Sequence, residues 1–277
     1  MRPAEVARRA ADYLGRHGVQ SPVPTAEALL ANVLSVSRVG LYTGEEPLSP
    51  AEARRFGRAL CLRCTGTPLQ HLTGEQGFRH LLLAVRSGVF VPRPETEVLV
   101  QHCLDVIAGK PRPVVVDVGT GTGAIALAIA DEHPGALVIA TDLSPEAVQL
   151  ASENAERLGL AISVLQGDLL DPVAEELRGT VDLVVSNPPY VEPAEMANLP
   201  QEVRADPPLA LTGGIGIYRR LFDAARAWIR PGGSVAVEIG ATRGAAVSQA
   251  ATSAGFDHVR VHADLVGRDR VVVGRRS

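Results

Sequence analysis

The sequence predicts an α/β protein: an open, mostly parallel sheet of seven strands, preceded by a small helical bundle. Two observations predict this fold. From residue 114 onwards, short runs rich in valine and alanine alternate with helical segments, as in a parallel sheet covered by helices. Before residue 75, apolar residues recur at helical spacing and prolines separate the segments. The predicted strands are 114–118, 136–140, 162–165, 181–186, 234–239, 256–262 and 270–274, the last two antiparallel.

Composition and charge limit the classes of function. The 277 residues are 46% hydrophobic and 21% charged, which is typical of a globular protein rather than a disordered one. The net charge of −4 argues against a broad phosphate-binding surface, so no direct nucleic-acid partner is expected. No apolar run approaches the ~20 residues of a membrane span, and the N-terminus lacks a signal-peptide pattern. The chain has three cysteines, an odd number that gives no disulfide framework. Together with the lack of a membrane span and of a signal peptide, this leads us to expect a cytoplasmic protein without a membrane partner.

The chain divides into three predicted regions. Residues 1–75 form a helical domain, which either grips a substrate or stabilises its neighbour; the residues favour neither role. Residues 76–91 alternate apolar and polar side chains around a Ser87-Gly88 turn, which predicts a β-hairpin linker. Residues 92–277 carry the α/β pattern. Within them, residues 191–216 show little periodicity, and a connection of that length is often a lid.

A glycine-rich turn follows the first strand of the α/β region. Strand, glycine-rich turn and helix in this order is the arrangement of nucleotide-binding sites, because glycines let the backbone approach a ligand at the helix N-terminus. The same glycines also satisfy the dinucleotide pattern Gly-x-Gly-x-x-Gly/Ala, so these residues leave the identity of the nucleotide open. The turn consists of Gly119, Thr120, Gly121, Thr122 and Gly123.

An aspartate follows each of the next two strands. Asp142 lies about twenty residues beyond the glycines, where a carboxylate takes ribose hydroxyls in nucleotide-binding sheets. Ser144-Pro145 already supplies a helix start, so ribose binding is favoured for Asp142 over helix capping. Asp168 ends the third strand. It could accept a hydrogen bond from an adenine amino group, and it could equally cap the short helix that follows.

The fourth strand ends at Asn187-Pro188-Pro189-Tyr190. Prolines cannot donate to a sheet ladder, and a residue before proline is extended. Asn187 is therefore predicted to lie at the carboxyl end of the strand, where open α/β sheets bind ligands. A rigid loop with an incidental asparagine is the alternative on these residues alone. The Asn187 side-chain oxygen and the Pro188 carbonyl are both acceptors, so together they could hold the two hydrogens of an NH2 group.

The sequence predicts no metal site. Cys61 and Cys64 form a Cys-x-x-Cys pair, but zinc would need two more ligands at matching spacing and no second pair exists. Two cysteines at this spacing on an amphipathic helix are more often buried small apolar residues. The seven histidines show no spacing typical of metal ligands.

These motifs together resemble the class I S-adenosylmethionine-dependent methyltransferases that modify planar nitrogen. Two further stretches, Gly66-x-Pro68-x-x-x-Leu72-x-Gly74-Glu75 and the Pro-Arg-Pro-Glu-Thr-Glu run at 92–97, extend the likeness to the release factor glutamine methyltransferase family of HemK/PrmC type. The resemblance covers nearly the whole chain. It implies a helical substrate-binding domain (1–75), a hairpin linker (76–91) and a Rossmann-like class I methyltransferase domain (92–277).

The resemblance also implies a reaction. The family transfers a methyl group from S-adenosylmethionine, leaving S-adenosylhomocysteine, to the side-chain amide nitrogen (N5) of the glutamine in the Gly-Gly-Gln motif of peptide-chain release factors. For the cofactor it implies that residues 119–123 bind the methionine part, that Asp142 binds the ribose, and that Asp168 and Leu169 flank the adenine, with Asn187 also bordering the cofactor.

For the substrate, the resemblance implies that the Asn-Pro-Pro-Tyr motif grips the glutamine. Asn187 and Pro188 would orient the amide and Tyr190 would stack on it, which makes these three the expected catalytic residues. The four substrate-binding residues are Asn187, Pro188, Pro189 and Tyr190.

Three other functions compete with this interpretation. The same N-methylation on a ribosomal-protein glutamine, or on an amino group of a DNA or RNA base, fits the motif because all present an NH2 on an sp2 carbon. A nicotinamide-dependent dehydrogenase fits the glycines but leaves residues 187–190 unexplained. A non-catalytic nucleotide-binding scaffold is disfavoured because every motif residue is intact.

Overall fold

The computed structural model describes residues 1–199 and 203–277, which fall into two compact units. The first unit comprises Met1–Glu75 with Val203–Ala205, and the second comprises Gln76–Leu199 with Asp206–Ser277. In the part of the chain that the structure describes, every helix is too short or too polar to span a bilayer.

The first unit is helical in its described part. Its helices are α1 (Pro3–Arg16), α2 (Pro22–Leu34), α3 (Gly40–Thr43), α4 (Pro50–Cys64) and α5 (Leu69–Thr73). Helix α4 begins with a capping box: the Ser49 hydroxyl accepts from the Glu52 N–H, and the Glu52 carboxylate accepts from the Ser49 N–H. Leu14, Leu29 and Phe56 are buried in the core between the helices, which is what holds such short helices together.

Among its described residues, the second unit contains a two-stranded hairpin, a seven-stranded sheet, six α-helices and two short 3₁₀ helices, Glu175–Leu177 and Pro193–Asn198. The hairpin is β1 (Glu75–Phe78) and β2 (Leu81–Ala84). The sheet strands are β3 (Val114–Val118), β4 (Leu137–Asp142), β5 (Ser163–Gln166), β6 (Val181–Ser186), β7 (Ile229–Glu238), β8 (Asp257–Ala263) and β9 (Asp269–Arg275). The helices are α6 (Thr96–Ile107), α7 (Ala124–Glu132), α8 (Pro145–Leu158), α9 (Pro208–Leu211), α10 (Gly214–Trp228) and α11 (Gly244–Ser253).

The strand order of the sheet is β5-β4-β3-β6-β7-β9-β8, with β3 to β7 parallel and β9 antiparallel to both neighbours. The predicted fold class is confirmed, as is the antiparallel pairing of the last two strands. After β3 the chain adds β4 and β5 on one side, then returns to place β6 and β7 on the other. This reversal opens a crevice outside the carboxyl ends of β3 and β6, where α/β sheets bind ligands.

Each face of the sheet has its own core. On one face, alternate strand residues such as Val115 and Leu183 pack against Leu99 and Leu127 of α6 and α7. On the other face, the intervening strand residues pack against the aromatic side chains of α10 and its neighbours. The strand residues are buried on both faces, which explains why they form continuous valine runs rather than an alternating pattern.

The structure corrects the prediction in two places. The hairpin turns at Arg79-His80 rather than at Ser87-Gly88. Arg79 takes a positive φ of 49° there, and its guanidinium forms an ion pair with Glu132 of α7, a contact that sequence spacing does not reveal. The strand predicted at 234–239 begins earlier: β7 starts at Ile229, directly after α10 ends, and includes Pro231-Gly232-Gly233, where the register with β6 shifts.

Candidate active site

The carboxyl ends of β3, β4, β5 and β6 bring the predicted site residues to one edge of the sheet. The glycine loop follows β3, Asp142 ends β4, Asp168 follows β5, and Asn187 follows β6. The pairing of Val118 with Thr141 on one side and with Ser186 on the other sets these ends level with one another. The parallel register is therefore what joins four separated motifs into one site.

The glycines of the loop adopt positive φ angles, a backbone conformation in which other residues would be strained. Gly121 has φ +58°, and a Cβ added to it would meet no atom within 4 Å, so the loop faces open space at this point. Gly123 has φ +85°, and its Cβ would lie 2.9 Å from Leu127 Cδ1 and 3.3 Å from Ala151 Cβ. The loop is thus open towards the crevice and tightly packed against the helices behind it.

Asp117, the last but one residue of β3, anchors the loop from beneath. Its Oδ2 accepts from the Thr120 hydroxyl at 2.7 Å and from the Ala126 N–H at 3.2 Å, which ties the strand, the loop and α7 together. Its Oδ1 has no hydrogen-bond partner among the described residues. Burial raises the pKa of Asp117 to about 7. The sequence analysis assigned no role to Asp117, which lies two residues before the glycine-rich turn.

Asp142 braces the same loop from the neighbouring strand. Its Oδ2 accepts from the Gly121 N–H and its Oδ1 from the Ser144 N–H, each at 2.9 Å. Burial raises the pKa of Asp142, and the hydrogen bonds from backbone N–H groups oppose that rise. The cap of α8 is the Ser144 hydroxyl, which accepts from the Ala147 N–H. A carboxylate accepts more than two hydrogen bonds, so Asp142 retains acceptor capacity for a ligand.

Asp168 and Leu169 lie beyond β5. The Asp168 carboxylate is half-exposed and pairs with Arg220 at 2.6 Å. In the turn that follows, its backbone carbonyl accepts from the Asp171 N–H. Leu169 has a positive φ of 49°, and its carbonyl accepts from the Thr141 hydroxyl at 2.7 Å, which holds this turn against the end of β4.

Asn187 is held by two residues that sequence reasoning did not assign. Its Nδ2 donates to Thr96 Oγ1 at 3.2 Å, and the Thr96 hydroxyl donates to Glu238 Oε2 at 2.6 Å. Burial raises the pKa of Glu238 to about 7. Two signals were available: Thr96 lies in the Pro-Arg-Pro-Glu-Thr-Glu run, and Glu238 is an acidic residue at the end of an apolar strand.

Tyr190 closes the motif against the sheet. Its ring lies against Gly240, 3.6 Å from the position that a Cβ on that glycine would take, which is an ordinary van der Waals distance. Burial, followed by the negative charge of Glu238, raises the pKa of Tyr190 to about 12. The phenol therefore stays protonated at neutral pH and does not serve as a base. Pro188 is buried and Pro189 is half-buried beside it.

Two arginines hold the described parts of the predicted lid, residues 191–216. Arg243 of the loop before α11 contacts Glu192 at 3.3 Å and Glu195 at 2.8 Å. Arg93 forms an ion pair with the buried Asp206, which also accepts from the Val91 N–H at 3.2 Å. Residues 200–202 of the predicted lid lie outside the described residues.

No set of three or more His, Cys, Asp or Glu side chains within residues 1–199 and 203–277 is arranged to hold a metal ion. Cys61 and Cys64 are free thiols, but the expectation that both are buried is wrong, because Cys61 is exposed and Cys64 is only half-buried.

Comparison with known proteins identifies the family. The Methyltransferase small domain family matches residues 85–212, and the PrmC N-terminal domain family matches residues 5–74. A release factor glutamine methyltransferase of Moorella thermoacetica is 43% identical over 271 residues, which cover 95% of this chain and 94% of that protein. The chain belongs to the release factor glutamine methyltransferase family.

Other comparisons agree. The release factor glutamine methyltransferase of Cereibacter sphaeroides is 41% identical over 283 residues, or 99% of either chain. Among solved structures, the hMettl16 catalytic domain in complex with a MAT2A 3′UTR hairpin is similar with a TM-score of 0.57 at 16% identity, covering 84% of each chain. At that identity the likeness establishes the methyltransferase fold and nothing finer. Membership of the release factor glutamine methyltransferase family rests on the sequence relatives.

Proposed function

We propose that this enzyme transfers a methyl group from S-adenosylmethionine to N5 of the glutamine in the Gly-Gly-Gln motif of peptide-chain release factors. The observation that carries the proposal is the position of Asn187: it follows β6, beside the glycine loop of β3, with its NH2 group turned towards Thr96. Family membership over almost the whole chain supports the reaction class and the substrate. A protein that acts on release factors works in the cytoplasm, and no nucleic-acid or membrane partner is proposed.

The residues at the carboxyl ends of β3 to β5 fit S-adenosylmethionine. The loop of residues 119–123 faces open space at Gly121, which leaves its backbone accessible to the methionine part. Asp142 retains acceptor capacity for the ribose hydroxyls, and Asp168 with Leu169 would flank the adenine. When bound, the cofactor supplies an electrophilic methyl group on a positively charged sulfur.

The residues of the Asn-Pro-Pro-Tyr motif prepare a weak nucleophile. An amide nitrogen is unreactive because its lone pair is delocalised into the carbonyl, the resonance that also makes peptide bonds planar. Asn187 Oδ1 and the Pro188 carbonyl would each accept one hydrogen of the substrate NH2, which fixes the nitrogen and aims it at the methyl group. Positioning of this kind can lower a barrier by roughly 7–11 kcal/mol. Tyr190 would stack on the flat amide, with Pro189 beside it.

No residue of the motif takes the surplus proton. Asparagine cannot accept it, and the raised pKa of Tyr190, about 12, keeps its phenol protonated. The methylated amide would release the proton to water after transfer. Because positive charge is dispersed in the transition state, a crevice that excludes water favours the reaction.

The remaining part of the proposal concerns the domains. Residues 1–75 would grip the release factor, residues 76–91 would link them to the rest, and residues 92–277 would catalyse methyl transfer. Residues 5–74 match the PrmC N-terminal domain family, so this domain occurs in other members of that family. This supports a common role for the domain, which we propose is to grip the release factor.

Mass spectrometry tests the proposed function. The full chain is incubated with methyl-labelled S-adenosylmethionine and, separately, with a purified release factor, the same factor with the Gly-Gly-Gln glutamine changed to alanine, ribosomal proteins, and DNA or RNA. We expect one labelled methyl group on that glutamine and none in the alanine variant. Label on a ribosomal-protein glutamine or on a base, with none on the release factor, would replace this proposal with the corresponding competing function.

A further inference from the structure

A buried chain of hydrogen bonds runs from the last residue of β7 to the amide of Asn187. Glu238 and Thr96 are each only 3% exposed. The Thr96 hydroxyl donates to Glu238 Oε2 at 2.6 Å and accepts from Asn187 Nδ2 at 3.2 Å. A hydroxyl has a single hydrogen, so once Thr96 gives it to Glu238 the oxygen can only accept from Asn187. The NH2 end of the Asn187 amide must therefore face Thr96.

We propose that Glu238 and Thr96 are positioning residues that set the orientation of the Asn187 amide, so that its oxygen and not its NH2 group faces the substrate amide. This inference rests on the proposed function and deepens it. The two ends of an asparagine amide have nearly the same shape, so packing alone does not choose between them. In the reversed orientation the Asn187 NH2 would meet the substrate NH2, two donors without an acceptor, and the nucleophile would not be held.

The orientation depends on the ionisation of Glu238. When Glu238 is ionised it accepts only, and every donor in the chain points towards it. When Glu238 is protonated it can donate to Thr96, whose hydroxyl is then free to donate to the Asn187 oxygen and stabilise the reversed amide. The substrate amide is therefore held productively only when Glu238 is ionised. Methyl transfer should accelerate as the pH rises through the pKa of Glu238.

The surroundings of Glu238 place that transition near neutral pH. Burial raises its pKa to about 7; the hydrogen bond from Thr96 and the charge of Arg270 lower it, and the charge of Glu95 raises it. The Tyr218 hydroxyl donates its hydrogen bond to the backbone carbonyl of Glu238, at 2.8 Å. The titratable or charged side chains that interact with Glu238 are Glu95, Tyr190, Tyr218 and Arg270.

The test compares Thr96→Val, Thr96→Ser and Glu238→Gln with wild type, in the full chain and with an intact release factor. Single-turnover methyl transfer at saturating S-adenosylmethionine is measured from about pH 6 to about pH 9. We expect the wild-type rate to rise through neutral pH. Thr96→Val and Glu238→Gln should be slower by about tenfold or more above that transition, and should lose the pH-dependent rise. Thr96→Ser keeps the hydroxyl and should keep both rate and profile.

Ser186→Ala is the matched control. Ser186 directly precedes Asn187, and its hydroxyl is buried. That hydroxyl donates to the Val118 carbonyl at 2.6 Å, and not to the Asn187 amide. The variant should lose thermal stability as Thr96→Val does, yet keep the pH-dependent rise. Affinity for S-adenosylmethionine, measured by calorimetry, should be retained in all four variants.

Three outcomes overturn the inference: a wild-type rate and profile in Thr96→Val, a pH-dependent rise retained in Glu238→Gln, or an equal flattening in Ser186→Ala. Should Thr96→Val fail to fold, Glu238→Gln against Thr96→Ser decides the question, since only the former should lose the profile. The wild-type chain is assayed before any variant. If it methylates no release-factor glutamine, the proposed function itself fails, and the variants are not compared.

Discussion

The backbone N–H of Gly121 donates to Asp142 Oδ2 at 2.9 Å, linking the loop after β3 to the end of β4. The Asp142 carboxylate therefore fixes the shape of the loop. Under the proposed function it would also accept from the ribose hydroxyls. A change at Asp142 should affect cofactor binding through both contacts.

Asp142→Ala should weaken S-adenosylmethionine binding by about 2–3 kcal/mol, the scale of a lost charge-assisted hydrogen bond, and it also leaves the part-buried Gly121 N–H without its acceptor. Asp142→Asn keeps one acceptor oxygen and should lose less affinity. Isothermal titration calorimetry on both variants measures the effect. Unchanged affinity in Asp142→Ala would mean that the ribose binds elsewhere and that the loop holds its shape without this carboxylate.

Asn187→Ala and Asn187→Asp should bind S-adenosylmethionine nearly normally while the single-turnover rate falls at least about a hundredfold. The alanine variant removes the acceptor. The aspartate variant places a second carboxyl group in contact with Thr96, next to Glu238, where like charge and burial would favour its protonated, donating form. A near-wild-type rate in Asn187→Ala would exclude Asn187 from the chemistry.

Glu238 should make folding stability depend on pH. Its pKa rises from 4.5 in the unfolded chain to about 7 in the folded one, so the folded state holds a proton that the unfolded state has lost. The stability this provides is complete below about pH 4.5 and is lost as the pH rises through about 7, a change of about 3 kcal/mol. Asp117 contributes in the same direction, because burial raises its pKa from 3.8 to about 7.

Glu238→Gln removes the contribution of Glu238 and leaves that of Asp117. We expect the free energy of unfolding of the variant, relative to wild type, to increase between about pH 4.5 and about pH 7 and to level off above that range. Urea denaturation at several pH values measures it. Parallel curves for the two proteins would mean that Glu238 is ionised throughout, or that its pKa is not raised by folding.

Removal of residues 1–75 should separate cofactor binding from substrate binding. Residues 76–277 are expected to bind S-adenosylmethionine with wild-type affinity and to methylate an intact release factor at least about tenfold less efficiently. The cut must precede the hairpin, because Phe78 and Leu83 are buried in the core of the second unit. Circular dichroism checks folding, and a short Gly-Gly-Gln peptide serves as the control substrate. Wild-type efficiency on the intact factor would refute a gripping role for residues 1–75.

The motifs that are contiguous in sequence could be placed without the structure. Asn187 lies at a strand end because the following prolines stop β6 locally, and the loop at residues 119–123 follows from its glycines. The hairpin turn was misplaced, because the contact between Arg79 and Glu132 that accompanies the actual turn joins residues 53 positions apart. Local patterns carry no information about such a partner.

The sequence by itself determined the mostly parallel sheet, the family resemblance and the four strand ends that hold the motifs, since these depend on short local patterns and their periodicity. Only the tertiary structure brought Thr96 to Glu238, 142 positions away, and both to Asn187. The physical reason is burial: a carboxyl group removed from water needs a donor nearby, and the folded chain meets that need with a hydroxyl from the start of α6. The direction of that hydrogen bond, which no stretch of sequence encodes, sets which end of the Asn187 amide faces Thr96.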